Sequence, residues 1–335
     1  MAAATGHRSA WLAILGDVML GRLVSREIGR RAPESFWGDT LPILQGADAV
    51  IANLECAISE RGSAWMRTPK VFHFRAEPGA IAVLQAAGVR YVSLANNHVL
   101  DYEEPAFLDT LALLDEAGIA RAGAGADLDE ARRAARFEAG ALKIAAFSVT
   151  DNEPPFAAGP GRPGVCYVEP EAADIWPTAA AIQAERDAGA ELLLVSAHLG
   201  PNMVLSPAPH LRAFKQRLLE LGCDIVHGHS AHVLQGIETA GRRLILHDTG
   251  DFLDDYAVDG ICRNDWSFLF LLEIDAGGVR RAVLRPVELG FAEVNLARGK
   301  AFDAICDRMV EQSAAFGTAL ERCTDGLELV LPAAG

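Results

Sequence analysis

The sequence predicts a layered α/β fold, and two features of its 335 residues indicate this class. Short apolar runs of the kind that form buried strands alternate with longer segments whose apolar residues recur at helical spacing. Residues that can bind metal ions directly follow several of these runs. In layered α/β proteins the loops at the carboxyl ends of strands carry the chemistry, so the pattern also predicts where the functional site lies.

The predicted elements follow one another in a regular order up to Arg242. Short, bounded apolar runs predict buried strands at 11–16, 48–52, 90–94, 142–149, 191–197 and 223–226. Apolar residues at helical spacing predict helices at 104–117, 171–188 and 209–221. This alternation favours a sheet whose strands are connected by helices.

After Arg242 the pattern changes to strands in succession, at 243–247, 267–274 and 279–287, before a final helix over 300–316. The second half is thus α+β in character. Neither length nor composition distinguishes one large domain from two small ones. Because no repeat, low-complexity tract or linker divides the chain, we interpret residues 1–335 as a single domain.

Residues 151–164 stand out as a loop, since they contain four prolines and three glycines. This content is too high to continue a helix or a central strand. Long ordered loops in compact domains often cover binding sites, so the segment is a candidate lid. A surface connection without a role explains it equally well.

The charge balance excludes one class of partner. Lys and Arg total 30 against 45 Asp and Glu, which gives a net charge of −15. Such a chain repels phosphate backbones and offers no basic stripe, so we expect no nucleic-acid partner.

Two further features predict the compartment. The apolar run at residues 11–15 is shorter than a signal-peptide core or a membrane span, and no later segment approaches a span. The six cysteines are scattered without a CxxC pair, which suits reduced thiols. We expect a soluble cytoplasmic protein without a membrane partner.

Candidate ligands follow the first two predicted strands. Asp17 ends the first apolar run, where it can bind a metal ion or cap the next helix. Asn53 and Glu55 end the second, and side chains two apart point the same way along a strand. The alternative is a turn asparagine beside a solvated glutamate.

The third strand runs directly into Asn96, Asn97, His98 and Asp101. A buried strand rarely ends in so many polar groups without partners, because each unpaired buried group costs about 1–3 kcal/mol. We expect Asn97 to ligate a metal through its carbonyl oxygen and His98 to act on the substrate as an acid or base. Asp101 or His232 is the expected partner of His98.

Histidines follow two later strands. His198 closes one of them, and His227, His229 and His232 cluster after the next. A single histidine is more often structural, but three within six residues favour metal binding or catalysis. Imidazole ligands suit manganese, zinc or iron better than calcium, so we expect one or two such divalent ions.

Acids of the segment ILHDTGDFLDDYAVD receive two interpretations. Asp248 and Asp251, directly after a strand, are placed to orient a ligating histidine as hydrogen-bond acceptors. Asp254, Asp255 and Asp259 are interpreted as a solvated turn.

Three cations lie near these motifs in the sequence, Arg22, Lys70 and Arg263. Each is a candidate to clamp a substrate carboxylate, for which arginine is better suited than lysine, or an ordinary surface ion-pair partner. Cys56 beside Glu55 is interpreted as a small core residue.

The chain resembles the capsule and poly-γ-glutamate biosynthesis protein family, the CapA-like branch of the calcineurin-like metallophosphatases, over roughly residues 11–290. The resemblance is carried, in order, by GDVMLGR, NLE, SLANNHVLD, AHLG, GHSAHVLQGIE and DTGDF. It implies a four-layer αββα sandwich of two mixed sheets with outer helices, and a two-metal site at the strand ends.

The resemblance also implies roles for individual residues. The positions that match the family's ligand motifs are Asp17, Asn53 or Glu55, Asn97 with His98, His198, and His229 with His232. Metallophosphatases place a histidine where this chain has Met19 and a bridging aspartate where it has Asn53. A thioether and an amide are poor substitutes, so we expect one metal position to be weakened or rebuilt around Glu55.

The best functional hypothesis is epimerisation. The expected lack of a membrane anchor and the motifs HSAH and HDTGDFLDDY are features in which the chain resembles lasso-peptide epimerases. Such an enzyme uses metal-assisted acid/base chemistry to invert the Cα of the C-terminal residue of a ribosomal precursor peptide. The alternative is a metal-dependent hydrolase of a phosphoester or a γ-glutamyl amide, linked to capsule or poly-γ-glutamate synthesis. A non-catalytic binding module ranks last, since it leaves the histidine cluster without a purpose.

Overall fold

A computed structural model of the protein describes residues 8–332. Its strands, numbered in chain order, are β1 (Ser9–Val18), β2 (Ala49–Leu54), β3 (Ala57–Ile58), β4 (Arg75–Ala76), β5 (Val89–Ser93), β6 (Ala120–Ala122), β7 (Ala124–Gly125), β8 (Ala135–Ala139), β9 (Leu142–Thr150), β10 (Gly164–Val165), β11 (Leu192–His198), β12 (Ile225–His229), β13 (Ile237–Ala240), β14 (Arg243–Leu246), β15 (Asp251–Leu253), β16 (Trp266–Asp275), β17 (Gly278–Gly290), β18 (Glu293–Leu296), β19 (Glu321–Cys323) and β20 (Gly326–Val330).

Helices connect most of the parallel strands. They are α1 (Arg22–Ile28), α2 (Leu41–Gln45), α3 (Ala80–Ala86), α4 (Glu103–Glu116), α5 (Leu128–Ala131), α6 (Ala179–Asp187), α7 (Pro209–Glu220) and α8 (Gly299–Ala314). The layered α/β class predicted from the sequence is confirmed.

Most strands belong to two large sheets. The ten-stranded sheet has the order β19-β20-β17-β16-β1-β2-β5-β6, with β15 paired to β1 and β18 to β17. The six-stranded sheet has the order β13-β14-β12-β11-β9-β8. Strands β1, β2 and β5 of the ten-stranded sheet run parallel, as do β9, β11 and β12 of the six-stranded sheet, so within each set the carboxyl ends meet at one edge.

The hydrophobic core has three parts because successive strand residues point to opposite faces. Leu12 and Ile14 of β1 pack in a cluster that also contains Ile144 and Leu194 of the six-stranded sheet. The alternate residue Ala13 packs in a second cluster together with side chains of helices α1, α3 and α4. A third cluster joins helices α6 and α7 to the six-stranded sheet.

All nine predicted strands exist, and their ends differ from the predicted ones by at most three residues. Helix α6 corrects a prediction, since it begins at Ala179 instead of residue 171. Pro177 disfavours helical backbone in the residue before it, and the side chain of Thr178 caps the helix by accepting a hydrogen bond from the Ala181 amide at 3.2 Å.

The proline-rich segment 151–164 contains a 3-10 turn at Pro154–Phe156 and ends in β10. Phe156 is buried and packs edge-to-face on Trp65, with 4.8 Å between ring centroids. Asn152 donates a hydrogen bond to the hydroxyl of Ser230 at 3.1 Å. The segment is therefore packed beside the loop that follows β12. Its role as a lid stays a prediction.

Among residues 8–332, no helix combines the length and the apolar content needed to cross a membrane.

Strands β1 and β15 approach closely at Gly16. A Cβ atom there would lie 1.9 Å from the carbonyl oxygen of Gly250. That oxygen accepts a hydrogen bond from the Asp17 amide at 2.9 Å. Glycine at position 16 thus allows the pairing that places Asp17 beside β15.

We expect Gly16→Ala to lower the free energy of unfolding by about 1–3 kcal/mol, because the added methyl group overpacks this contact. Gly29→Ala is the matched control, since Gly29 has a φ of −73° and no atom within 4 Å of its Cβ position. The control should be neutral or slightly stabilising. Urea denaturation measures both, and equal stability of the two variants would contradict this account of β1.

Candidate metal centre

The residues that can hold metal ions lie where parallel strands of the two large sheets end. Asp17 of β1 is in register with Asn53 of β2 on one side and with Asp251 of β15 on the other. His198 of β11 is in register with His229 of β12. All five side chains are buried. The ten-stranded sheet therefore supplies carboxylates, and the six-stranded sheet supplies imidazoles.

Asp17, His198 and His229 form a first ligand group, with one ligand atom from each within 4.8 Å of the others. The Nδ1 atoms of the two histidines are 2.9 Å apart, and Nδ1 of His229 is 3.8 Å from Oδ1 of Asp17. Asn97 borders this group, with its Oδ1 atom 3.0 Å from Nε2 of His198. Imidazole nitrogens and a carboxylate oxygen suit zinc, manganese or iron.

Asp17 also belongs to a second ligand group, with Glu55, His232 and Asp251. Nδ1 of His232 lies 2.7 Å from Oδ1 of Asp251 and 3.4 Å from Oδ2 of Asp17. The same nitrogen is 3.9 Å from Oε2 of Glu55. Since Oδ1 of Asp17 faces the first group and Oδ2 the second, this carboxylate lies between two potential ion sites.

The buried atoms of these groups fit metal ions. Among the described residues, Asp17 Oδ2, Glu55 Oε1, His229 Nε2 and Asp251 Oδ2 form no hydrogen bond. Buried polar atoms without partners are rare, because each costs about 1–3 kcal/mol. Three neighbouring buried carboxylates also disfavour one another's ionisation. Divalent cations would satisfy the unpaired atoms and balance this negative charge.

The ionisation of these groups reflects the same imbalance. Burial, together with the charge of Asp17, raises the pKa of Glu55 well above its ordinary value. Burial likewise raises the pKa of Asp251. Although burial opposes ionisation of Asp17, contacts with His232 and His198 hold the pKa of its carboxyl below the ordinary value. Asp17 is therefore the acid whose ionised form the surrounding residues stabilise.

The orientation of Asn53 follows from a hydrogen-bond network. Oδ1 of Asn96 accepts from the amides of His98 and Val99, so its Nδ2 donates to Oδ1 of Asn53 at 3.1 Å. Nδ2 of Asn53 therefore donates to Oδ1 of Asp17 at 2.7 Å. In this arrangement the Asn53 amide orients Asp17, and its role as a metal ligand stays a prediction.

His98 and Asp101 form a pair next to the ligand groups. Nδ1 of His98 lies 2.6 Å from Oδ2 of Asp101, which also accepts a hydrogen bond from the Phe74 amide at 2.7 Å. The His98 ring stacks on the Phe74 ring, with 3.9 Å between centroids. Burial raises the pKa of Asp101 to about 7. The pair is held rigidly, and Nε2 is the ring nitrogen left for a substrate.

A cleft with a volume of about 280 Å³ opens onto this region. It is lined by Arg22, Phe72, Phe74, His98, Asn202, Met203, His232, Tyr256 and Ala257. His98 and His232 thus face one space, as expected for residues that act on a common substrate. Tyr256 places its hydroxyl 3.4 Å from Oε2 of Glu55 and connects the cleft to the second ligand group.

A family model, described as bacterial capsule synthesis protein PGA_cap, matches residues 11–256. The chain belongs to this family. The match includes every residue of both ligand groups.

Three relatives of the chain carry names that refer to polyglutamine synthesis, capsule biosynthesis or PGA biosynthesis. A Mycobacterium tuberculosis protein named probable polyglutamine synthesis accessory protein is 32% identical over 317 residues, which cover 89% of this chain and 81% of that protein. The capsule biosynthesis protein CapA of Bacillus anthracis is 25% identical over 249 residues, which cover 73% and 59%. The PGA biosynthesis protein CapA of Bacillus subtilis is 26% identical over 277 residues, which cover 82% and 70%.

Met19 of this PGA_cap chain belongs to neither ligand group. Sδ of Met19 accepts a hydrogen bond from the Gly21 amide at 3.1 Å and lies in the core. The second ligand group instead contains Glu55 and Asp251. Sequence reasoning assigned Asp251 only an orienting role, because its pairing with Asp17 depends on the register of the short strand β15.

The acids after β14 correct one prediction and retain another. Asp254 and the side chain of Asp255 are buried instead of solvated, and Asp255 accepts a hydrogen bond from the Leu23 amide at 2.8 Å. Asp259 is exposed, as predicted. Asp248 accepts from the Ala231 amide at 2.8 Å and so supports the loop that carries His232. The sequence contains no signal for this burial, which for Asp255 results from contacts with Arg22 and Leu23 of α1.

The histidine cluster divides into two roles. His227 belongs to neither ligand group, and its Nε2 atom lies 2.9 Å from the carbonyl oxygen of Leu15 inside the core. Phe74 and Tyr256, which the sequence analysis did not select, line the cleft beside His98 and His232. Apolar or aromatic residues in loops carry no metal-binding signal, so only their position in the fold reveals them.

We expect Asp17→Asn to lower the metal content of the purified protein more than His229→Ala does, because Asp17 belongs to both groups and His229 to one. Elemental analysis after purification with manganese measures this difference. His210→Ala, a change at an exposed residue outside both groups, is the control and should retain the metal. Wild-type metal content in Asp17→Asn would exclude Asp17 as a ligand shared by the two groups.

Proposed function

We propose that this chain is a metal-dependent hydrolase that cleaves an amide bond in a glutamate-containing chain during capsule or polyglutamate synthesis. The observation that carries the proposal is the pair of ligand groups that share Asp17 beside the cleft containing His98. The names of the relatives, which refer to polyglutamine synthesis, capsule biosynthesis and PGA biosynthesis, support this setting.

The two ligand groups are the residues that would hold the ions. When bound, divalent ions polarise a carbonyl group and lower the pKa of water. Asn53 keeps Asp17 oriented through its hydrogen bond to Oδ1. Glu55, whose carboxylate lies near the Tyr256 hydroxyl, connects the second group to the cleft.

Proton transfer is assigned to His98. Asp101 occupies Nδ1 of the ring, so Nε2 is the atom that exchanges a proton with the substrate. Stacking on Phe74 fixes the plane of the ring. Lys70 lies 3.4 Å from Oδ1 of Asp101 and keeps that carboxylate in place. The leaving amine of a cleaved amide would receive its proton from this pair.

A second candidate is Cα epimerisation of a peptide, because two histidines line the same cleft and each contacts a carboxylate. His98 contacts Asp101 and His232 contacts Asp251. Epimerisation requires one group to remove a proton and another to return it on the opposite face. Hydrolysis ranks first because the names of the relatives refer to polymer synthesis.

We also propose that the fold is the four-layer sandwich of the metallophosphatases. The three-part core supports this arrangement, since one cluster lies between residues of both sheets and the other two join helices to a single sheet.

The direct test is incubation of the manganese-loaded protein with a γ-linked glutamate oligomer, followed by mass analysis. We expect shorter oligomers, and His98→Gln should lower kcat by about 10²- to 10⁴-fold, the usual contribution of general acid/base catalysis. Metal content should not change in this variant, because His98 belongs to neither ligand group.

The same assay in heavy water distinguishes the alternatives. Deuterium at a Cα of an intact peptide substrate, without cleavage, would support epimerisation and reject hydrolysis. Aryl phosphate turnover at typical enzyme rates of about 1–1,000 per second, with the oligomer uncut, would instead identify a phosphoesterase.

A further inference from the structure

The structure separates three cations that lie near the metal-binding motifs in the sequence. Lys70 is buried and directs its Nζ atom to the carbonyl oxygen of Asn97 at 2.6 Å. Arg263 forms ion pairs with Asp265 and Glu288 at 2.6 and 3.2 Å. Both are held by internal partners, and neither lines the cleft.

Arg22 differs from both, because its side chain is part of the cleft wall. Its only ion pair among residues 8–332 joins Nε to Asp255 at 3.3 Å. This contact uses the inner nitrogen, so the two terminal nitrogens are left for another acceptor. About a third of the side chain, 35%, is exposed.

The position of the Arg22 guanidinium is defined by its neighbours. Its central carbon lies 5.8 Å from the Phe72 ring centroid and 5.7 Å from that of Phe74. The Phe74 ring also stacks on the His98 ring. Arg22, Phe74 and His98 therefore follow one another along the cleft wall. The backbone of Arg22 has a φ of 52°, a strained conformation for a residue with a side chain.

The cleft also has exposed apolar side chains in its wall. Phe72 and Met203, which line the cleft, are 58% and 38% exposed. No other Lys or Arg lines the cleft among the described residues. The cleft thus combines one cation with apolar surface.

We infer that Arg22 is a specificity-determining residue that binds a single substrate carboxylate, with an apolar part of the substrate against Phe72; this inference rests on the proposed function. A guanidinium offers two parallel donors to a carboxylate, which gives strong and oriented binding. The interior of a polyglutamate chain carries a carboxylate on every residue. In a protein with a net charge of −15, those additional carboxylates would meet repulsion and no further cation in the cleft.

The substrate class that fits is therefore a peptide or glutamyl chain engaged at its end, with one carboxylate at Arg22 and the hydrocarbon part of the same residue against Phe72. When the enzyme acts on a terminal residue, one carboxylate binds the Arg22 guanidinium and the rest of the chain stays outside the cleft. Apolar contact with Phe72 then adds affinity that a polyanionic segment could not supply.

The test is calorimetric binding of two probes, N-acetylphenylalanine and its uncharged amide, to the manganese-loaded protein. We expect the acid to bind the wild type at least about tenfold more tightly than the amide, since charge-assisted hydrogen bonds are the stronger kind. Arg22→Gln should remove this preference, and Arg22→Lys should restore part of it. Equal affinity of the acid for wild type and Arg22→Gln would overturn the inference.

Arg26→Gln is the matched control, because Arg26 lies one turn further along α1 and does not line the cleft. It should keep the wild-type preference. Thermal unfolding of Arg22→Gln distinguishes loss of binding from loss of fold, and rescue by lysine provides a second check. A destabilised Arg22→Gln together with full binding by a folded Arg22→Met variant would also reject the role.

The binding test separates this inference from the proposed function. Loss of acid preference in Arg22→Gln, with no hydrolysis of any oligomer, would support Arg22 and reject the hydrolase. Hydrolysis whose KM is unchanged in Arg22→Gln would support the hydrolase and reject Arg22.

Discussion

The burial of several carboxylates around Asp17 is the constraint on which the rest of the structure depends. Asp17, Glu55 and Asp251 lie together at the strand ends with unpaired oxygens, and burial raises the pKa of the latter two. Such an arrangement is unfavourable for a protein on its own, because each buried charge loses its hydration. Bound cations would balance the charge of the buried carboxylates. The same ions would therefore stabilise this region and supply its chemistry.

The two sheets supply different kinds of ligand to this centre. The ten-stranded sheet brings carboxylates, and the six-stranded sheet with its following loop brings histidines. The ligand groups therefore form only when the sheets pack on each other through the shared core cluster. The close contact of Gly16 with β15 sets the position of Asp17, so a backbone constraint in the core controls the geometry of a ligand.

Hydrogen bonds outside the ligand groups determine what each polar residue can do. Asn96, held by two backbone amides, turns the nitrogen of Asn53 towards Asp17. Asp101 occupies one nitrogen of His98 and leaves the other for the cleft. These contacts fix tautomer and amide orientation, on which the choice between ligand, base and supporting role depends.

The sequence by itself determined the fold class, all nine predicted strands and the strand-end positions of Asp17, His198 and His229, because alternation of apolar runs and the residues that follow them are local properties. Only the tertiary structure decided that Asp251 joins Asp17, that Asp254 and Asp255 are buried, and that Asn53 presents its nitrogen. The burial of Asp255 depends on packing between segments 232 residues apart, and the orientation of Asn53 depends on contacts 36 and 43 residues apart. Local pattern contains no record of such contacts, since register and burial arise only when distant strands pair and pack.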